Sequence, residues 1–172
     1  IKIWEGGMSF HGAMFGVIVC TYIFAIKNNI KALLLLDIIA CVSPIGLFFG
    51  RIANFINGEL YGKPTDFFIS VVFPQVDNKA RHPSQLYEAI LEGIILFIIL
   101  NIIIFRKKIF TGVCSAMFLV FYGIFRIIAE QFREPDIQIG YILGNNSMGT
   151  LLSFLMILIG FFIYIKIKKN AF

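Results

Sequence analysis

Apolar runs long enough to cross a bilayer as helices recur about five times in this chain, over 10–26, 32–50, 86–105, 109–129 and 141–165. Inside hydrocarbon every backbone polar group must be satisfied within the segment, so runs of this kind dictate helices. No alternation of apolar and polar residues suggests a β-barrel instead. Composition agrees: 59% of the residues are hydrophobic and only 15% are charged, too few to cover a water-soluble surface. The expectation is an all-α polytopic membrane bundle, with 1–172 a single integral membrane domain. Within it, 63–83 forms a short outward-facing loop, which folds as a small lid or as a strand pair around 67–73. Pro44 in the second run predicts a kink, because its ring removes a backbone donor.

The charges orient the bundle. Lys27 and Lys31 lie between the first two runs, Arg106, Lys107 and Lys108 between the third and fourth, and Lys166, Lys168 and Lys169 at the end of the last. With alternating helices all three clusters fall on one side, which the positive-inside rule makes cytoplasmic. The N-terminus of the chain is then outside and its C-terminus inside. A net charge of +5 is thereby explained as topology rather than as a nucleic-acid surface, and no nucleic-acid partner is expected.

The polar residues gather at the other, outward end, in 4–11, 51–62, 63–83 and 131–140. Arg51, Asn54 and Gly58 share one helical face if the second helix continues past its apolar run. An arginine at membrane depth calls for an anionic partner or ligand. Glu59 is the nearest candidate, and a structural ion pair is the alternative to an anion site. His11, flanked by Gly6-Gly7 and Gly12, reads either as a packing residue or as a proton acceptor at the same end. In Arg81-His82-Pro83-Ser84-Gln85-Leu86-Tyr87-Glu88, the proline suits the first turn of a helix. Gln85, Glu88 and Glu92 then share a face, and His82 is a cap or a binding residue. Arg126 and Glu130, four apart, should point into the bundle or a polar cavity, with an intrahelical pair as the simplest reading.

Cys20, Cys41 and Cys114 sit in apolar stretches without CxxC spacing and read as packing groups. The two histidines and the glutamates show no metal-ligand spacing, so no metal is expected. The chain opens at Ile1 without a signal-peptide pattern, and is expected to be a fragment that has lost an N-terminal portion.

Gly50-Arg51-Ile52-Ala53-Asn54-Phe55-Ile56-Asn57-Gly58-Glu59 resembles the signature of the prolipoprotein diacylglyceryl transferases. Gly6-Gly7-Met8-Ser9-Phe10-His11-Gly12, the segment Arg81 to Glu88, and Phe132-Arg133-Glu134-Pro135-Asp136 match the family in the same order. The resemblance departs from the family pattern at Ala53, at Asn146 and at Thr150. It implies a multi-pass enzyme of the bacterial cytoplasmic (inner) membrane with about seven helices, two of them preceding Ile1. The implied reaction moves a diacylglyceryl group from phosphatidylglycerol to the lipobox cysteine of a prolipoprotein signal peptide, releasing glycerol phosphate. No cofactor is implied. Chemistry then assigns His11 as candidate base, with Arg51 and Arg126 stabilising the phosphate leaving group. Asn54, Asn57 and Glu59 position the head group, and Gly62, Arg81, His82 and Glu130 complete the substrate-binding set. A transporter or lipid-binding subunit with a basic anion site is the competing class; it should show internal repeats or a polar path through both leaflets.

Overall fold

The computed structural model describes residues 10–106, 110–134, 141–143 and 146–169, with side chains from residue 15 onward except those of 141–146. Helices dominate: α1 (Phe10–Lys27), α2 (Ala32–Asn57), α3 (Ser84–Ile104), α4 (Val113–Glu130) and α5 (Met148–Lys169). Four of these, α2 to α5, are long and apolar enough to cross a membrane, and the stretch Phe15–Lys27 of α1 is a shorter apolar helix. Large apolar side chains line their outer faces, among them Phe15, Phe49, Ile56, Phe154 and Phe162. A water-soluble protein does not expose apolar surface on that scale, and acyl chains are its natural solvent.

α2 runs seven residues beyond its apolar stretch and passes through Pro44 as one helix. The Ser43 hydroxyl donates to the carbonyl of Ile39 at 2.7 Å and approaches that of Ala40 at 3.4 Å, the carbonyl that Pro44 cannot serve. The helix ends in a Schellman cap. Gly58, at φ +65°, donates to Phe55, and Glu59 donates to Asn54. In α3, the stretch Ala89–Ile95 winds as a π-helix, a form concentrated at functional sites. Gly93 lies within it against Phe48 of α2, where a Cβ would stand 2.7 Å from the Phe48 Cβ.

The last apolar run does not begin as a helix. Tyr141–Leu143 (β3) pairs antiparallel with Asn146–Ser147 (β4), and α5 starts only at Met148. Gly144, Asn145, Asn146 and Ser147 all favour turns or caps over helix interiors, which outweighs the local hydropathy. From there α5 packs closely on α4 through small residues: a Cβ at Gly123 or at Gly160 would lie 2.7 Å from Ser153 O or Ala116 O respectively.

Of the stretch 67–73, where a strand pair is one expectation, only 71–72 is strand, and its partner lies farther along at 80–81. Val71–Val72 (β1) pairs antiparallel with Ala80–Arg81 (β2). Gly62 and Pro64 extend the pairing by bridging to Arg133 and Arg81, so the loop is stitched to the end of α4.

Contacts sort the helix ends. Gly112 lies against Leu33 and Ile167 and donates to Asp37. The starts of α2 and α4 and the end of α5 thus meet at the basic end. The end of α2, the starts of α3 and α5 and the end of α4 meet at the polar end, where the site forms. Between the two ends the core is Cys41, Leu96, Leu100, Cys114 and Tyr122.

Candidate active site

Three carboxylates and three guanidiniums, from α2, α3 and α4 with the turn that follows it, form one cluster at the polar end. Glu88 and Glu92 of α3 are fully buried. Arg51 of α2 places Nε 2.8 Å from Glu88 Oε2 and Nη2 3.2 Å from Glu92 Oε2. Arg126 of α4 reaches in from the opposite side, with Nη1 2.7 Å from Glu88 Oε1 and 3.7 Å from Glu92 Oε1. Its Nη2 lies 2.9 Å from Glu130 Oε2, one turn along α4. Arg133 approaches Glu88 Oε1 at 3.8 Å.

Formal charges in the cluster balance, which is how guanidiniums are tolerated at membrane depth. Several of the contacts are ion pairs by distance without hydrogen-bond alignment, those at Glu88 Oε2, Glu92 Oε1 and Glu130 Oε2 among them. The two arginines keep side-chain exposures of 15% and 12%, so the cluster opens at its edge rather than being sealed. Two converging forks of this kind offer a tetrahedral anion four or more donors at once.

Glu130 is anchored from the far side as well. Ser147 Oγ donates to Glu130 Oε1 at 2.8 Å and accepts the amide of Thr150 at 3.2 Å, capping α5. A Cβ at Gly149 would come within 3.0 Å of both Glu130 oxygens, so glycine lets the carboxylate rest against the positive end of α5.

Glu59 does not partner Arg51, contrary to expectation. It lies past the helix cap and accepts from Asn54 Nδ2 at 3.0 Å, while Glu88 and Glu92, distant in sequence, take the arginine. Asn54 stands one turn beyond Arg51 on α2. The Asn57 carbonyl accepts from Gln75 of the loop at 3.3 Å. Gly62 sits where a Cβ would be 2.3 Å from the His82 carbonyl, so only glycine permits the loop crossing there.

Arg81 is buried and heavily occupied. It donates to Asp77 through Nε (3.2 Å) and Nη2 (2.7 Å), and through Nη1 to Gly62 O (3.0 Å) and Glu134 Oε2 (3.1 Å). The guanidinium also stacks over Tyr61, 4.8 Å from the ring centre. Hydrogen bonding to Arg81 holds the Asp77 carboxyl below the usual carboxylate range, and the same bond raises Arg81 above its own. His82 Nδ1 lies 3.1 Å from the Tyr87 hydroxyl, with Phe132 edge-on at 5.2 Å. His11 falls in the first turn of α1, and its side chain lies outside the described residues. Among the described residues, no three His, Cys, Asp or Glu side chains gather as a metal site.

Residues 1–166 match the family model described as prolipoprotein diacylglyceryl transferase. The chain belongs to that family. Among its relatives, a phosphatidylglycerol–prolipoprotein diacylglyceryl transferase of Rickettsia bellii (strain OSU 85-389) is 54% identical over 173 residues, covering 99% of this chain and 66% of the relative. The protein of the same name from Ehrlichia canis (strain Jake) is 54% identical over 98% of the chain and 66% of its own length. That from Rickettsia typhi (strain ATCC VR-144 / Wilmington) is 53% identical over 99% and 66%. The chain thus spans just under two thirds of these relatives.

In this diacylglyceryl transferase family member, three of the four recognised motifs come together. Arg51 meets Glu88, and Arg81 binds Glu134. Sequence reasoning left Glu88, Glu92, Arg133 and Ser147 out of the site. For the glutamates a signal existed: two carboxylates one turn apart in an apolar run must face a cation. For Ser147 the signal was its position ahead of an apolar run. Arg133 offered none beyond its motif.

Proposed function

We propose that the full-length protein transfers the diacylglyceryl group of phosphatidylglycerol to the lipobox cysteine thiol of a prolipoprotein signal peptide at the outer face of the bacterial cytoplasmic membrane. Supporting this reading is the grip of Arg51 and Arg126 on one buried carboxylate, that of Glu88. A phosphodiester entering from the open edge would exchange for that carboxylate as the shared anion. The names of the relatives supply the substrate classes.

The thiol sulfur attacks the glyceryl CH₂ next to the phosphodiester, forming a C–S bond. The C–O bond breaks, and its electron pair stays on the phosphate oxygen of departing glycerol phosphate. Arg51 and Arg126 stabilise that charge as it develops. The thiol proton passes to a base, for which His11 is the candidate. On this reading Asn54, Asn57 and Glu59 position the head group, and Glu130, 2.9 Å from Arg126, orients that guanidinium. Both substrates are membrane-anchored, so holding them in one cleft supplies much of the rate.

The test uses the full-length protein in vesicles with phosphatidylglycerol labelled in its acyl chains and a lipobox peptide. Label should move to the peptide only when its cysteine is present, with glycerol phosphate released in equal amount. Replacing His11 by Gln should lower turnover by ~10²–10⁴ while lipid binding persists. No transfer by the intact protein would overturn the reading.

A further inference from the structure

Gln85 lies at the outer edge of the arginine cluster and is fully buried, with 0% exposure. Its Nε2 donates to the carbonyl of Glu59 at 2.6 Å. That bond settles which end of the amide is nitrogen, since only nitrogen can donate to a carbonyl. Oε1 is therefore a buried acceptor, and among the described residues it has no hydrogen-bond partner. Buried acceptors are rarely left so, because the missing hydrogen bond destabilises the site.

Two rungs join α2 and its cap to α3. The deeper one is Arg51 with Glu88 at 2.8 Å. The outer one is Gln85 with Glu59 at 2.6 Å, and Glu59 is itself held by Asn54. Gln85 precedes Glu88 by three residues and Asn54 follows Arg51 by three, so the rungs lie about one turn apart, ~4.5 Å along the helix. A phosphate between Arg51 and Arg126 would send its acyl-bearing side toward the bilayer and its head group toward Gln85. A three-carbon head group spans one turn.

Resting on the proposed transfer, we infer that Gln85 is a specificity residue: its Oε1 accepts a hydroxyl of the glycerol head group of the lipid donor. Carbonyl oxygens accept and cannot donate, so the site asks for a head group with a hydroxyl beyond the phosphate. Ser84 Oγ donates to Leu60 O at 3.0 Å, and Leu60 holds φ +55°. The Ser84–Leu60 bond ties the start of α3 to the segment that carries Glu59.

The test crosses two donors with two proteins, using the full-length protein in vesicles. The donors are phosphatidylglycerol and phosphatidylpropanol, which has the same three carbons and no free hydroxyl. Wild type should prefer phosphatidylglycerol by about ten- to a hundredfold in kcat/KM. Gln85→Met should narrow that preference to within about threefold, chiefly by lowering the rate with phosphatidylglycerol. Where Gln85→Met does not accumulate in membranes, Gln85→Asn carries the comparison, because it keeps the amide but withdraws it by one methylene. Equal use of both donors by wild type would overturn the proposal, and would mean that a water serves Oε1. Parallel losses with both donors in the variants would also overturn it, leaving Gln85 only a support for Glu59. Absence of transfer from phosphatidylglycerol by wild type would instead overturn the transfer reading itself.

Discussion

Arg51 and Arg126, on helices α2 and α4, hold opposite oxygens of one carboxylate, that of Glu88, at 2.8 and 2.7 Å. Each arginine keeps a second carboxylate, Glu92 for Arg51 and Glu130 for Arg126, so displacement of Glu88 by another anion would engage both while they stay held.

Lysine should therefore replace neither arginine. An ammonium is a point donor and cannot span two oxygens as the fork does. In the full-length protein, Arg51→Lys and Arg126→Lys should each lower diacylglyceryl transfer by ~10²–10³. The double variant should lose far less than the product of the two, since one missing fork already misplaces the phosphate for the other. Losses that multiply would assign the two arginines to separate tasks.

Glu88 ties the cluster together and should be the costliest carboxylate to remove. Glu88→Ala leaves two buried guanidiniums short of a counter-charge, a change that destabilises by roughly 3–5 kcal/mol. Thermal unfolding in detergent should show a clearly lower midpoint for Glu88→Ala than for Glu59→Ala, whose carboxylate meets Asn54 at an exposed position. Equal midpoints would show that the cluster does not hold the helices together.

Asp77 and Arg81 give the loop an acid-sensitive clasp. The folded carboxyl titrates below its ordinary value of 3.8 because Arg81 hydrogen-bonds it. Its contribution is thus fully present above that value and is lost as pH falls through the lower folded one. Pepsin cleavage within 63–83, measured at each pH relative to an unfolded peptide of the same segment, should stay slow at pH 5 and rise as pH falls through the lowered value, below 3.8. Asp77→Asn should be cleaved readily at both pH values, with little added acceleration. An unchanged acid response in Asp77→Asn would place the sensitive group elsewhere.

The basic clusters predict orientation. In the full-length protein, Asp77→Cys should react with an impermeant thiol reagent added outside intact cells, and Lys168→Cys should react only after the membrane is opened. Labelling of both from outside would reverse the assignment of the polar end.

Local pattern alone determined the helical, membrane-spanning character of this chain. Runs of apolar residues have one solution in hydrocarbon, whereas Gly58, expected on one helical face with Arg51 and Asn54, is instead the left-handed cap that ends α2. The polar end and the need of Arg51 and Arg126 for anionic partners were legible for the same reason: a charge within an apolar run has to be answered. Which group answers it was decided by tertiary structure. Glu59 is eight residues from Arg51 in sequence, yet Glu88 and Glu92 take the guanidinium, because the Schellman cap turns the chain away and carries Glu59 to Asn54. Similarly, the last apolar run looked helical from Tyr141, but Ser147 reaches Glu130 and caps α5 one residue before Met148. Hydropathy measures a segment's solvent; the pairing of its charges depends on which helices meet, and that is a property of the packed bundle.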